Sequence, residues 1–398
     1  SKFNPFKNYS PSFESSQSIE KNNTWELVQL PRGVKKIGVK WIYKTKYNEQ
    51  GKIEKYKTRL VAKGYAQQHG FDFNEVFAPV ARWDTIRVIL VVAGSKAWNV
   101  YQFDVKSAFL HGELDEDVDQ PPGYQDEDGM VYKLRKALYG LKQSPRAWYS
   151  KIESYFVQEN FEKCPHEHTL FVKQDDNDNM LIVSLYVDDL IFTGNNDKMF
   201  EDFKNSMKNK FFMTDLDKMR YFLGVEVKQL DCGIFIYQQK YAQEILDRFN
   251  MNQCNKVCSP IVSENKLTKD ENGRLVDATS NRQMIGCLMY LLATRLDLTF
   301  SVCLIARYME RLNEIHLVAA KRVLRYIKGS MNYGVLYKKN CELALKGWTY
   351  SDYAGDLDDR KSTSGYVFML GYGPISWSSK KQAIVTLSTT EAEFVSAS

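Results

Sequence analysis

LIVSLYVDDLIFTG, residues 181–194, sets two adjacent carboxylates, Asp188 and Asp189, between the apolar runs 181–187 and 190–192. Flanks of that kind read as two buried strands, with the acids at the tight turn that joins them. Side-by-side carboxylates repel, and burying either is expensive unless something pairs with it. A plain hairpin turn, where Asp is common, is one reading, though Asp-Gly or Asn-Gly would suit it better. A divalent cation is the other: Mg²⁺ takes one or two carboxylates and fills its shell with water and phosphate oxygens. Asp104 lies in a further strand-like stretch, VYQFDVKSAFL (100–110), with the apolar SAFL just after it. Two strand-borne acidic sites suit two metal ions about 4 Å apart, the arrangement that clamps attacking and leaving oxygens in phosphoryl transfer.

The chain has 398 residues, 44% hydrophobic and 26% charged, so there is ample material for a core and for two or three domains. A net charge of +5 permits a polyanionic partner without requiring one. No apolar run reaches the roughly 18 residues of a membrane span, so no membrane partner is expected. The opening SKFNPFKNYSPSFESSQ lacks the apolar centre of a signal peptide, and a first residue Ser1 points to a fragment or a processed piece. Seven scattered cysteines read as reduced thiols of an intracellular protein. Cys164 with His166 and His168, and Cys254 with Cys258, lack the paired spacing of a zinc knuckle.

Along the chain, residues 1–23 are polar and expected to be disordered. VKWIYKTKYNEQGKIEKYKTRLVAKGY (39–65) reads as a hairpin turning at NEQG. Lys40, Lys44, Lys46, Lys52, Lys55, Lys57, Arg59 and Lys63 stud it, interleaved with Tyr43, Tyr47 and Tyr56. A solvated sheet edge and a phosphate-facing surface account for them equally well. A helix is expected over 85–98, and an amphipathic one within 136–159 after a Pro-containing loop, with Trp148, Ile152 and Phe156 on one face. Another should start near Asn195–Asp197 with Met199, Phe203 and Met207 inward. A strand at 169–173, a hairpin at 221–239 and a short helix at 241–250 follow. Residues 257–280 form a polar connector and 281–330 are helical. In HLVAAKRVLRYIKGS (316–330), Lys321, Arg325 and Lys328 make one basic stripe, either a plain solvated face or a nucleic-acid contact. A β-rich pattern runs from Trp348 to Lys381, and a last helix begins near Ser388.

These phrases together resemble the reverse transcriptase of copia-type retrotransposons. The resemblance rests on KYKTRLVAKGYAQQHGFDFNEVFAPVARWDTIR (55–87), VYQFDVKSAFLHGEL (100–114), LYGLKQSPRAWY (138–149), LYVDDLIFTG (185–194), FLGVEV (222–227) and SDYAGDLDDRKSTSGYVF (351–368), in that order. It covers the chain from about Trp25 to its end.

The resemblance implies an α+β right-hand polymerase with fingers, an antiparallel palm sheet and a thumb, followed by a partial ribonuclease H-like α/β domain. The implied division is a tail at 1–23, fingers and palm at 24–260, thumb and connection helices at 261–345, and the ribonuclease H-like piece at 346–398. It implies that Asp104 and Asp188 hold two Mg²⁺ ions, or Mn²⁺ in their place, with Asp189 in support. By the same resemblance, Phe109 is an aromatic gate against the 2′-hydroxyl, a position that on its own residues reads as a core aromatic. Lys57, Arg59 and Lys63 would meet the triphosphate, and Tyr139, Gly140 and Gln143 would pack on the nascent base pair. Residues 221–237 would support the primer end, and the 316–330 stripe would grip backbone phosphates. Implied partners are an RNA template, a DNA or RNA primer and deoxynucleoside triphosphates; implied locations are the cytoplasm, in a virus-like particle, or the nucleus. In the ribonuclease H-like piece, Asp352 and Glu393 match the first two acids best, Glu391 being the other register, and no ribonuclease H activity is expected.

Three departures stand out. DEDVDQPPGY (115–124) and SDYAGD (351–356) are each two residues shorter than the family pattern, and Leu296 stands where Pro is usual. They keep a second reading open, a catalytically dead relic that only binds nucleic acid.

Overall fold

Apolar residues that alternate along strands and recur every three or four along helices sort the chain into two compact units, Ser1–Ala81 with Gln102–Asp217, and Arg82–Tyr101 with Lys218–Ser398. The computed structural model describes residues 23–30, 36–47, 53–121, 130–262, 267–269 and 273–398, and for 46–47 and 54–57 the backbone alone. The expected disordered tail up to residue 22, the NEQG turn, Lys52 and the side chains of Lys46, Tyr47, Lys55, Tyr56 and Lys57 lie outside the described residues.

In the first unit, β1 (Trp25–Gln29) pairs with β6 (Met130–Lys136), which also pairs with β5 (Glu113–Val118), both antiparallel. The arms β2 (Val39–Tyr47) and β3 (Ile53–Ala62) form the expected antiparallel hairpin, Val39 opposite Ala62. The largest sheet has six strands in the order β11-β4-β10-β9-β8-β7. Its members are β4 (Val100–Val105), β7 (Glu162–Lys163), β8 (Leu170–Gln174), β9 (Met180–Tyr186), β10 (Asp189–Gly194) and β11 (Met213–Lys218).

Helix α1 (Trp83–Lys96) belongs to the second unit; α2 (Ser144–Gln158) and α3 (Asp197–Lys210) belong to the first. Helix α2 buries Trp148, Ile152 and Phe156, the expected stripe. Helix α3 is capped by Asn196, whose side chain accepts from the Met199 N–H at 2.9 Å. Its buried stripe is Phe200, Phe203 and Met207, so Phe200 takes the place expected for Met199, and three- and four-residue steps replace two of four. Phe103, Phe192 and Phe203 meet beneath the sheet, with Phe103 and Phe192 ring centres 5.0 Å apart and Phe192 and Phe203 5.2 Å apart. Each fully buried Phe contributes about 2–3 kcal/mol relative to exposure.

In the second unit, β12 (Tyr221–Phe222), β13 (Val225–Leu230), β14 (Gly233–Tyr237) and β15 (Gly334–Lys338) form an antiparallel sheet in that order. Helices α4 (Gln239–Arg248), α5 (Ala278–Leu291), α6 (Thr299–Ala306) and α7 (Glu314–Gly329) surround one apolar core that includes Leu246, Leu288, Val302 and Leu324. Strands β16 (Leu345–Ser351), β17 (Thr363–Leu370) and β18 (Gly373–Lys381) form a last antiparallel sheet, followed by α8 (Thr389–Ala397) with Ser388 as its cap. Arg87 of α1 is buried in this unit. Its guanidinium donates to the Ala293 carbonyl at 2.9 Å and the Ile375 carbonyl at 3.2 Å, and its carbon lies 3.8 Å from the Trp377 ring centre.

Candidate active site

The order of the six-stranded sheet makes β4 and β10 neighbours, so Asp104 and the Asp188–Asp189 turn lie side by side. The Val105 N–H donates to the Asp188 carbonyl at 2.8 Å. Side chains alternate along a strand. Phe103, Val105, Leu190 and Phe192 therefore enter the core, while Gln102 and Asp104 share the other face with Asp189. There the Gln102 amide donates to an Asp189 carboxylate oxygen at 3.1 Å. The chain can place two charges here because they sit at the turn, where Asp188 and Asp189 are half-buried, whereas Leu190 to Gly194 are buried on both faces.

Tyr186 pairs with Asp189, which leaves Val187 and Asp188 as a two-residue turn. Val187 has φ +56°, and Asp188 is not among the positive-φ residues. A positive φ at the first turn position alone is the type II′ pattern, which normally calls for Gly there. A β-branched residue in that conformation is strained by about 1–3 kcal/mol. The turn is held from below: the Trp148 indole N–H donates to the Val187 carbonyl at 2.6 Å, and Trp148 itself is buried. Beside it His111 packs between Trp148 and Phe211, ring centres 5.8 and 5.4 Å away. Burial holds the His111 imidazole below its ordinary range, and its Nε2 has no hydrogen-bond partner among the described residues.

Burial, then the charges of Asp188 and Asp104, push the Asp189 carboxyl up to about 6 against the Gln102 hydrogen bond. Asp188 and Asp104 thus both act on Asp189, and a cation among them would relieve both burial and repulsion. Among the described residues no three His, Cys, Asp or Glu side chains form a ready-made cage. The donor set fits a hard cation that keeps waters and takes substrate oxygens rather than one enclosed by protein.

Phe109 lies in the short helical turn Ala108–His111, its ring centre 4.6 Å from that of Tyr139. Exposed Arg59 sits over the other ring, its guanidinium carbon 4.8 Å from the Tyr139 centre. The loop bearing Tyr139 is sewn to β3 by the Ala62 N–H, which donates to the Tyr139 carbonyl at 2.7 Å. Gly140 follows at φ +96°, where a Cβ would stand 2.2 Å from the Ala62 carbonyl oxygen, so only Gly permits this approach. Lys63 packs its stem on Gly38, and the side chain of Lys57 is outside the described residues. Gln143 is buried, and both ends of its amide bond protein groups.

Each of the remaining expected site residues lies in the second unit. On α7, Lys321 is exposed, Lys328 is half-buried, and Arg325 donates through Nε to the Asn255 carbonyl at 2.7 Å. Asp352 accepts from the Thr363 N–H at 2.6 Å, turned onto its own loop. Glu393 is exposed on α8, while Glu391 accepts from the Leu387 N–H at 2.6 Å.

A family model described as reverse transcriptase (RNA-dependent DNA polymerase) matches residues 22–263. The chain belongs to the reverse transcriptase family. All three acids of the β4–β10 cluster fall inside the matched segment. The chain is 42% identical over 378 residues to the retrovirus-related Pol polyprotein from transposon RE1 of Arabidopsis thaliana, covering 94% of this chain and 26% of that protein. The corresponding polyprotein from transposon TNT 1-94 of Nicotiana tabacum is 37% identical over 96% of this chain and 30% of its own length. The transposon Ty5-1 protein YCL074W of Saccharomyces cerevisiae is 31% identical over 74% of this chain and 98% of its own. This reverse transcriptase chain is thus similar to copia-type Pol polyproteins and spans about a quarter of the length of the first of them. In fold it matches the foamy viral protease-reverse transcriptase solved in complex with double-stranded DNA, at a TM-score of 0.50 and 12% identity, over 98% of this chain and 59% of that one.

Gln102 and Trp148 were not singled out as site residues by sequence reasoning. Gln102 had a signal, since it stands two positions from Asp104 and must share its strand face. Trp148 read only as a core position, and its bond to the turn had none.

Proposed function

We propose that the chain is the RNA-directed DNA polymerase segment of a copia-type retroelement, joining a primer 3′-hydroxyl to the α-phosphorus of a deoxynucleoside triphosphate opposite an RNA template. The observation that carries this reading is the placement of Asp104 beside the Asp188–Asp189 turn, joined by the hydrogen bond from Val105 to Asp188. In this reading the six-stranded sheet is the palm, the β2–β3 hairpin belongs to the fingers, and α5 to α7 form the thumb and connection. Strands β16 to β18 with α8 are then the partial ribonuclease H-like piece.

Asp104 and Asp188 would hold two Mg²⁺ ions, with Asp189 in support. Bound there, Mg²⁺ neutralises charge on the attacking and leaving oxygens. The chain's own residues do the positioning, which is most of the catalysis in such a transfer. Trp148 fixes the turn, Gln102 orients Asp189, and Arg59 over Tyr139 offers a cation to the triphosphate. Phe109 crowds a 2′-hydroxyl, the group that separates RNA from DNA precursors. Lys321, Arg325 and Lys328 grip backbone phosphates without reading sequence. Ribonuclease H activity is not expected of this piece, in which Asp352 accepts from the Thr363 N–H and Glu393 stays exposed on α8.

Primer extension on poly(rA)–oligo(dT) with dTTP and Mg²⁺ tests the reading. The unaltered chain should extend the primer, and Asp188→Asn should not, while both bind the duplex alike. Equal extension by Asp188→Asn would overturn the assignment of the acids. Salt-dependent duplex binding with no extension by the unaltered chain would instead make it a relic that only binds nucleic acid.

A further inference from the structure

Glu116 is a half-buried carboxylate that the mechanism above does not use. It lies just past a bulge in β5, where Glu113 faces Lys136 but Glu116 faces Leu134, so three residues on one strand span two on the other. A bulge re-aims the side chain that follows it, and here it brings Glu116 to the start of α2. Glu116 accepts from the Gln143 side-chain amide at 2.7 Å. The Gln143 oxygen accepts from the Gln67 amide at 3.0 Å, and the Gln67 oxygen accepts from the backbone N–H of Lys142 at 2.9 Å. Gln67 and Gln143 are 6% and 8% exposed, so water does not offer them alternatives.

The polarity of this relay is fixed at both ends, by the Glu116 carboxylate and by the Lys142 N–H, which can only donate. An ionised carboxylate only accepts, so Gln143 must turn its NH₂ toward Glu116 and its oxygen toward Gln67. Gln67 is then obliged to present its own oxygen to the loop backbone. That loop carries Tyr139, which faces Phe109 and Arg59, and Gly140 against β3.

We propose that Glu116, acting through Gln143 and Gln67, is a positioning residue of the nucleotide pocket, holding loop 138–143 in the register that places Tyr139 between Phe109 and Arg59. Gln143 thereby works as a buried link rather than as a contact to the nucleotide. The inference rests on the polymerase reading for what the pocket binds. It rests on the hydrogen bonds alone for what holds the loop.

Two measurements separate these dependences. In single-nucleotide incorporation, Glu116→Ala should raise KM for the triphosphate about tenfold, the effect of losing one charge-assisted hydrogen bond, with kcat within about threefold. Glu116→Gln keeps an acceptor and should recover most of that loss, and Gln67→Ala should mimic Glu116→Ala. Amide hydrogen exchange on the folded variants provides the second readout. Glu116→Ala should lose protection at Lys142 and in loop 138–143 while the interior of α2 stays protected. An unchanged KM, or a Glu116→Gln variant as impaired as Glu116→Ala, would overturn the proposal, as would unaltered exchange in the loop. Failure of the unaltered chain to extend a primer would count against the polymerase reading, and the exchange contrast would still decide the clamp.

Discussion

The indole of Trp148 donates a hydrogen bond to the carbonyl of Val187, 39 residues away, at 2.6 Å. A helix residue thereby fixes the peptide that precedes Asp188. Trp148→Phe keeps most of the buried ring and removes the donor, leaving a strained carbonyl without its partner. We expect a loss of about 2 kcal/mol in stability and a fall in kcat larger than any change in KM for primer–template. Urea unfolding and steady-state extension check it; equal kcat with a normal unfolding midpoint would show that the turn stands without Trp148.

Val187 itself makes the opposite prediction. Gly at the first position of this turn removes the strain of a β-branched residue at φ +56°. The relief of about 1–3 kcal/mol matches or exceeds the added unfolded-state entropy of Gly, roughly 1 kcal/mol. Val187→Gly should therefore raise the denaturation midpoint while lowering extension activity, since the acids then sit on a freer backbone. A lower midpoint would mean that Val187 packing outweighs its strain.

Phe109 and Tyr139 touch through their rings. Phe109→Val shortens the wall that would face a ribose 2′-hydroxyl. Incorporation of ribonucleotides relative to deoxynucleotides should rise by at least about tenfold, the discrimination available from a lost steric or polar contact. An unchanged ratio in competition assays would leave Phe109 as a core aromatic.

His111 gives a pH dependence with a definite sign. Burial comes first, with Lys136 and Lys151 adding to it, in holding its folded-state pKa below the ordinary 6.5. Below that value the unfolded chain binds a proton that the folded chain refuses, so His111 lowers stability as pH falls. His111→Gln should lessen the drop in urea midpoint between about pH 7 and pH 5. A drop of the same size in both proteins would remove His111 as its cause.

The hairpin 181–194 was legible because strong apolar flanks allow one pairing, and α2 because Trp148, Ile152 and Phe156 keep helical spacing. Strand β5 was not. ELDEDV carries four acids, and its bulge breaks the two-residue alternation that strand reading depends on. Strands β11 and β15 were also missed; MTDLDK carries charge like a loop, and GVLYK is short enough to be lost beside the long helix before it. The meeting of Asp104 with Asp188 is a matter of strand order, which no local pattern encodes, so the residues alone could suggest it and only the resemblance implied it. The φ of Val187 could not be read at all, because its propensity argues against the conformation it adopts.

Arg87 has a practical consequence for trimming this protein. Its guanidinium reaches acceptors 206 and 288 residues further along and lies against Trp377. Deleting the chain from Gly373 onward would strip a buried cation of one acceptor and of its aromatic cover. Strand β18 is therefore structural to helix α1, and expression boundaries drawn before it would yield an unstable product.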